Sequence, residues 1–162
     1  MQSRPANTYE LLQRGAQAWA DAVALRVVAD AREPTRSQTW TYRALLARVT
    51  QAANLFHALG AGPNTVVAYA LPNVPQAHFA LWGAEAAGIA FAMNPALGAE
   101  ASAQLLAAAG ASILVTMAPS DEYPLLLELA PLLEQCPQLK HILVVGKAGE
   151  SLPATRSIEL RP

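Results

Sequence analysis

The sequence predicts an α/β fold, in which a doubly wound, mostly parallel open sheet carries helices on both faces. Three short apolar runs, each bounded by turn residues, carry this prediction and cover residues 66–70, 89–93 and 113–116. Helical patterns over 75–87 and 99–109 separate these runs, and Gly88 and Gly110 follow the two patterns. Apolar runs of this length suit buried parallel strands, and the helices between them suit crossover connections.

An N-terminal helix and a small β-hairpin are predicted ahead of this sheet. Asn7 is a favourable N-cap, and Glu10 follows it three residues later, as in a capping box. The apolar face of this helix is predicted to comprise Leu11, Leu12, Ala16 and Trp19, and Asp21 to end it. Residues 22–28 and 38–40 are predicted to form the two hairpin strands on either side of a charged loop.

A long helix is predicted next, because Thr41 is a suitable N-cap and Gly60 is suitably placed just beyond the C-terminus. Its apolar stripe is predicted to be Leu45, Val49, Ala52, Ala53 and Phe56.

The end of the chain is predicted to add one more helix and one more strand. The helix covers about residues 124–135, and Pro131 inside it is expected to kink or split it. The strand covers 141–145. Residues 148–162 have no apolar period, so we expect a single α/β unit over 1–147 and a linker or tail over 148–162.

Composition excludes several classes of protein. The net charge of −1 gives no electrostatic footprint for nucleic acid, and the single cysteine excludes a disulfide framework. No secretory signal is visible, and the most apolar segment is too short for a membrane span, so a cytoplasmic protein is expected. Hydrophobic residues make up 53% and charged residues 14%, which indicates a sheet buried on both faces or a surface that another part covers.

The turns after the predicted strands are the places to search for chemistry, because doubly wound sheets bind ligands there. These turns are 71–73, 94–96, 117–120 and 146–147, and they contain no recognisable catalytic set. No glycine-rich phosphate loop is present, since 60–62 precedes a strand and 146–149 lacks the required spacing. We therefore predict no catalytic, cofactor-binding or metal-binding residue on this chain.

Individual reactive residues support the same interpretation. The histidines lack metal-ligand spacing and are interpreted as structural or surface residues: His57, His78 and His141. Cys136 has no paired base and is interpreted as a buried or idle thiol, and Glu85 is expected to point to solvent or to a partner on a helix. Ser102, Ser112, Ser120 and Asp121 are present, but no nucleophile elbow accompanies them. Four aromatic residues at apolar-periodic positions are predicted to pack in the core: Trp40, Phe79, Trp82 and Phe91.

An ordered set of short motifs resembles one protein family. The motifs occupy 39–42 with 59–68, then 71–75 with 86–95, then 109–116 with 139–146. In this order and spacing, the chain from about residue 7 to residue 147 resembles the N-terminal portion of the acyl-CoA synthetases, in the adenylate-forming, AMP-binding superfamily. The Leu71-Pro72-Asn73 and Asn94-Pro95 pair favours fatty or aryl acyl-CoA ligases.

This resemblance implies a two-step ligase in which a carboxylate attacks ATP and CoA then displaces AMP from the acyl-adenylate. It implies ATP, Mg²⁺ and CoA for the full-length enzyme and none on this chain, because the family's phosphate loop and catalytic lysine lie downstream of the matching segment. We therefore expect a non-catalytic N-terminal fragment, with the remainder of the ligase as its partner and an exposed apolar face that favours self-association. The alternative is a stand-alone α/β module that binds a protein or a small nucleotide without catalysis.

Overall fold

The structure is a computed structural model that describes residues 4–28 and 30–146, and the backbone of 157–159. The elements follow the chain as α1 (Thr8–Ala18), β1 (Val23–Val28), β2 (Ser37–Thr41), α2 (Tyr42–Ala58), β3 (Val66–Ala70), α3 (Pro75–Ala87), β4 (Ile89–Ala92), α4 (Ala99–Ala109), β5 (Ala111–Met117), α5 (Leu125–Leu129), a 3₁₀-helix (Ala130–Gln135), β6 (His141–Val145) and β7 (Ser157–Glu159).

The main sheet has five strands in the order β4-β3-β5-β6-β7, and each neighbouring pair is parallel. In the central register, Val67 lies between Ala90 of β4 and Ile113 of β5. The connection after β3 leads to β4 at the edge of the sheet. The next connection crosses back over β3 to β5, which lies on the other side of β3. This reversal makes the sheet doubly wound, as predicted.

Helices cover both faces of this sheet, which confirms the predicted layering. Successive residues of a strand point to opposite faces, and they divide accordingly between two buried clusters. One cluster joins the strands to α4, α5 and the 3₁₀-helix through Ala68, Leu114, Val144, Ala103, Leu106, Leu126 and Leu129. The other joins them to α2 and α3 through Val67, Val115, Leu143, Ala52, Phe56, Ala80 and Ala84.

Local signals in the sequence correctly predict where α1 and α2 begin. Asn7 Oδ1 accepts a hydrogen bond from the Glu10 amide at 2.8 Å, and Glu10 Oε2 accepts one from the Ala6 amide at 2.7 Å. Thr41 caps α2 by accepting from the Ala44 amide at 3.2 Å. The buried residues of α2 are the five predicted for its stripe.

The predicted interruption at Pro131 is also confirmed. Helix α5 ends at Leu129, and a 3₁₀-helix begins at Ala130 with the proline near its start. Because proline has no amide hydrogen and its ring crowds the preceding turn, the α-helical ladder ends there.

The hairpin of β1 and β2 forms its own antiparallel two-stranded sheet, a point that the sequence left open. It packs against α2. In the described parts of the chain, no helix is both long enough and apolar enough to cross a membrane.

Two predictions are wrong in part. Within the predicted tail, Ser157–Glu159 form a fifth strand parallel to β6, and three residues are too few to show a strand period in sequence. The rest of that segment lies outside the described residues, and the boundary between 147 and 148 stays a prediction. Helix α1 ends at Ala18 rather than at Asp21, and Leu11 and Trp19 of its predicted apolar face are 57% and 62% exposed.

A close approach between α2 and α3 generates a first prediction. A Cβ atom added at Gly83 would lie 2.6 Å from Ala52 Cβ and 3.1 Å from the Ala53 amide nitrogen. Although alanine normally favours a helix over glycine by about 1 kcal/mol, forcing these backbones apart costs more. We expect Gly83→Ala to lower the free energy of unfolding in urea by about 1–2 kcal/mol. Gly62→Ala, where a Cβ would meet nothing within 4 Å, is the control and should change it little.

A second prediction concerns Phe56, the bulkiest fully buried side chain, at 1% exposure between α2 and the sheet. Phe56→Ala removes the ring and leaves a cavity, so the free energy of unfolding in urea should fall by about 3–5 kcal/mol. Leu127→Ala, at a position 53% exposed, should cost well under about 1 kcal/mol. Equal losses for the two variants would contradict the assignment of the core.

Candidate functional site

The reversal between β3 and β5 defines the candidate site. In open α/β sheets, ligands bind beyond the carboxyl ends of the strands, where neighbouring connections leave in opposite directions. At this point α3 follows β3 on one face of the sheet, and the segment leading to α5 follows β5 on the other. The loops 71–74 and 118–124 therefore form the two sides of the crevice.

The loop after β3 is short and held by its own backbone. Leu71 is buried, and the Val74 amide donates a hydrogen bond to the Pro72 carbonyl at 2.7 Å. Helix α3 begins at once with Pro75 at its first position, and no side chain caps it. The motif Leu71-Pro72-Asn73 is therefore a tight strand-to-helix turn, of which Asn73 is the exposed polar residue.

The loop after β5 is tied to the end of β6. The Ala118 amide donates to the Val145 carbonyl at 2.8 Å. A Cβ atom at Gly146 would lie 2.5 Å from Ala118 Cβ, so a side chain at 146 would push the two loops apart. Further along, the Tyr123 amide donates to the hydroxyl of Ser120 at 3.1 Å. These contacts hold the loop after β5, which forms one side of the crevice, in place.

The turn after β4 is organised by Asn94. Its Oδ1 accepts a hydrogen bond from the Ala96 amide at 3.0 Å, and its carbonyl accepts one from the Leu97 amide at 3.1 Å. Asparagine commonly stabilises turns in this way. The structure thus accounts for the Asn94-Pro95 motif as backbone geometry.

The sequence analysis did not single out one polar group at the base of this crevice. Thr116 is only 2% exposed, and its hydroxyl lies 3.5 Å from the Ala70 carbonyl across the β3–β5 pair. The signal available was a hydroxyl residue that directly follows the apolar run 113–115.

The described edge of the crevice carries no cation. Loops 71–74, 94–98 and 117–124 contain no lysine or arginine, and their charged residues are the exposed Asp121 and Glu122. A hydrogen bond to Glu122 raises the pKa of the Tyr123 hydroxyl. Lys147 lies outside the described residues. A triphosphate is held by cationic side chains or by amide donors, and no side chain of these described loops supplies a cation.

The histidines are not brought together. His57 Nδ1 lies 3.0 Å from the Ala61 carbonyl at the end of α2, and His141 begins β6. His78 lies on α3 with its ring centroid 5.5 Å from that of Trp82, and partial burial lowers its pKa. Among residues 4–28 and 30–146, no three His, Cys, Asp or Glu side chains form a group that could hold a metal ion.

The other candidate residues also lack a reactive setting. Cys136 is buried, its thiol donates to the Ala103 carbonyl at 3.4 Å, and burial raises its pKa, which disfavours the thiolate. Ser102 is fully buried on α4, and its hydroxyl has no hydrogen-bond partner. Glu85 is exposed, as expected, while Asp121 and Ser120 lie on the exposed loop after β5.

The aromatic residues are only half-buried, so the prediction of core packing holds in part. Phe79 and Phe91 pack against the two buried clusters. Trp40 contacts Phe79 edge to face with ring centroids 5.8 Å apart, yet Trp40 and Trp82 remain partly exposed.

Comparison with known proteins places this arrangement in a family. Residues 12–160 match the family of AMP-binding enzymes. The chain is 36% identical over 115 residues to the marinolic acid–CoA ligase of Pseudoalteromonas sp. (strain SANK 73390), which covers 71% of this chain and 17% of that enzyme. It is 34% identical over 122 residues to the crotonobetaine/carnitine–CoA ligase of Salmonella paratyphi A (strain ATCC 9150 / SARB42), covering 75% of this chain and 22% of that enzyme.

Solved structures agree on the fold. The anthranilate CoA ligase AuaEII, in complex with anthranoyl-AMP, superposes with a TM-score of 0.71 at 21% identity, over 86% of this chain and 25% of that one. Coronafacic acid ligase from Pectobacterium brasiliense superposes with a TM-score of 0.70 at 14% identity, over the same shares.

The chain therefore spans only a part of these enzymes, namely 17% and 22% of the lengths of the two curated CoA ligases. The resemblance inferred from the ordered motifs is confirmed: this chain belongs to the family of AMP-binding enzymes and corresponds to one part of the α/β fold of its CoA ligases.

Proposed function

We propose that this chain is a non-catalytic part of an ATP-dependent acyl-CoA synthetase. The complete enzyme would convert a carboxylic acid to an acyl-adenylate and then to an acyl-CoA. The observation that carries the proposal is that the described loops at the edge of the crevice between β3 and β5 contain no lysine or arginine, in a chain that belongs to the family of AMP-binding enzymes.

The proposal follows from the charge that the reaction develops. Attack of a carboxylate on ATP places negative charge on the phosphoryl oxygens and on the departing pyrophosphate, and cations or preorganised amides must stabilise it. The side chains of loops 71–74, 94–98 and 117–124 include no cation, because they are apolar, carboxamide, hydroxyl or acidic. The groups that hold ATP, Mg²⁺ and CoA would therefore come from the remainder of the ligase.

The proposed role of this chain is to form one wall of the active site of the complete ligase. The loop after β5 is fixed to the end of β6, and the turns at Pro72 and Asn94 are fixed by local hydrogen bonds. A rigid wall of this kind positions reacting groups without contributing a proton or a charge.

The relatives and the motifs support a proposed class of substrate. The named relatives are CoA ligases for different acids, and the paired turns after β3 and β4 favour a fatty or an aryl carboxylic acid. A cytoplasmic location is consistent with the single, buried cysteine. Fractionation of the producing cells would test it.

A second candidate function rests on the strand order. A sheet that reverses between its first and third parallel strands is an arrangement that binds nucleotides at the reversal. The chain alone would then be a nucleotide-binding module without catalysis.

Catalysis by the chain alone is the direct test. Purified chain supplied with ATP, Mg²⁺, CoA and either palmitate or benzoate should release pyrophosphate no faster than the protein-free mixture. The crotonobetaine/carnitine–CoA ligase with carnitine provides the positive control in the same assay. Acid-dependent pyrophosphate release by the chain would contradict the proposal, while saturable ATP binding without turnover would favour the nucleotide-binding module.

Self-association is a further expectation for the isolated chain. Leu11, Trp19 and Val23 are all more than half exposed, and uncovered apolar groups of this size favour association in water. The weight-average mass in sedimentation equilibrium should rise with protein concentration. A constant monomer mass across the concentration range would count against an exposed apolar face.

A further inference from the structure

Strand β4 forms one edge of the main sheet, and within the described residues it pairs with β3 alone. The Ile89 amide donates to the Thr65 carbonyl at 2.9 Å, and the Met93 amide also donates to a carbonyl of β3 at 2.9 Å. Alternate residues of a parallel strand bond to the same neighbour, so Ala90 and Ala92 direct their N–H and C=O groups away from β3. This free edge therefore offers two donors and two acceptors to a further strand.

The features that normally protect an edge strand are absent from β4. Natural edge strands carry charged residues, prolines or bulges that hinder pairing with another chain. Residues 86–94 contain neither a charged residue nor a proline, and β4 pairs residue for residue with β3. By contrast, β1 of the hairpin carries the exposed Arg26. Ile89 is 46% exposed and Ala92 is also exposed, so the edge of β4 is open to solvent and regular enough to accept a strand.

The two faces of β4 present different side chains next to this edge. Phe91 is half-buried and packs on the cluster that includes α4, whereas Ala90 packs on the cluster that includes α2 and α3. Ile89 shares the face of Phe91, since alternate residues of a strand point to the same face. A further strand would therefore meet a phenylalanine and an isoleucine on one face and small alanine side chains on the other.

A second copy of β4 fits this edge in one antiparallel register. When Phe91 lies opposite Phe91 of the second copy, Ala90 lies opposite Ala92 of that copy and exchanges both backbone hydrogen bonds with it. By two-fold symmetry, Ala92 does the same with Ala90 of the second copy, so that all the free donors and acceptors are paired. The two Phe91 side chains then form a pair at the non-hydrogen-bonded position, where side chains lie closest and aromatic pairs stabilise a sheet.

Charge and burial also favour this register. Because residues 86–94 carry no charge, two copies bring no like charges opposite each other along the strand. Each exposed Ile89 comes opposite Met93 of the other copy, so the contact removes exposed apolar surface from water. The register that pairs the backbone is thus the one that covers the exposed isoleucine.

We propose that two copies of this chain associate through β4, antiparallel and about a two-fold axis at Phe91, so that their main sheets join into one. This backbone contact at a sheet edge is distinct from association through the apolar side chains of α1 and β1. It uses only β4 of each copy and is independent of the proposed function, which pyrophosphate release tests separately. The contact is smaller than a standard protein interface, so we expect a monomer–dimer equilibrium that depends on concentration.

Hydrogen exchange of the unsubstituted full chain, followed by NMR at single amides, tests the contact. In dilute samples the amides of Ala90 and Ala92 should exchange rapidly because they face solvent, while those of Ile89 and Phe91 are bonded to β3. On concentrating the chain, exchange at 90 and 92 should slow at least about tenfold, and exchange at 89 and 91 should change little.

Three results of this measurement would overturn the proposal. The first is rapid exchange at 90 and 92 in samples whose mass in sedimentation equilibrium has risen to that of a dimer, because another surface would then hold the copies together. The second is a monomer mass at every concentration reached. The third is slow exchange at 90 and 92 in the dilute monomer, because a segment of the same chain would then cover the edge.

Two cysteine variants test the register. In Phe91→Cys the two cysteines would face each other with Cα atoms about 4.5 Å apart, within the range of a disulfide. In Ile89→Cys, the matched control on the same strand, they would lie four residues out of register and about 14 Å apart. Under mild oxidation Phe91→Cys should therefore form a disulfide-linked dimer and Ile89→Cys should not, and the native Cys136 is buried. A dimer that crosslinks equally at both positions, or only at 89, would contradict the symmetric register, and the exchange measurement still decides the contact should Phe91→Cys impair folding.

Discussion

The need to cover both faces of an apolar sheet determines this structure. In β3 and β5, neighbouring residues such as Val67 and Ala68, or Leu114 and Val115, are buried on opposite faces. A right-handed crossover that runs toward one edge of the sheet places its helix on one face, and a crossover that runs toward the other edge places its helix on the opposite face. Both faces are therefore covered only when the strand order reverses. The reversal between β3 and β5 follows, and with it the crevice that makes this edge the candidate site. Small residues allow the two helices on one of these faces, α2 and α3, to approach closely, as at Gly83 against Ala52.

What the sequence predicted correctly is local in origin. The stripe of α2, the caps at Asn7 and Thr41 and the break at Pro131 depend on residues within a few positions of one another. Strand order and the pairing of β7 depend on contacts between distant segments, which periodicity does not report. The aromatic residues show the same limit, because Trp40 and Trp82 have core-like spacing but are partly exposed in the structure.

The sequence predicted the location of the candidate site but not its geometry. The turns at Leu71, Asn94 and Met117 were identified as strand ends, and the structure adds that two of them face each other across the reversal. The buried hydroxyl of Thr116 emerged only from the β3–β5 register. The family's likeness thus resides in turns that set backbone geometry, whereas the described loops lack the cations that adenylation requires.

We propose that this part of a CoA ligase builds one wall of the active site and carries none of its adenylation chemistry. Exchange of labelled pyrophosphate into ATP reports adenylate formation without requiring CoA, and it can be measured on the chain and on the complete ligase with the same acid. We expect acid-dependent exchange in the complete ligase and exchange at the protein-free level in the chain. Acid-dependent exchange catalysed by the chain alone would contradict the proposal.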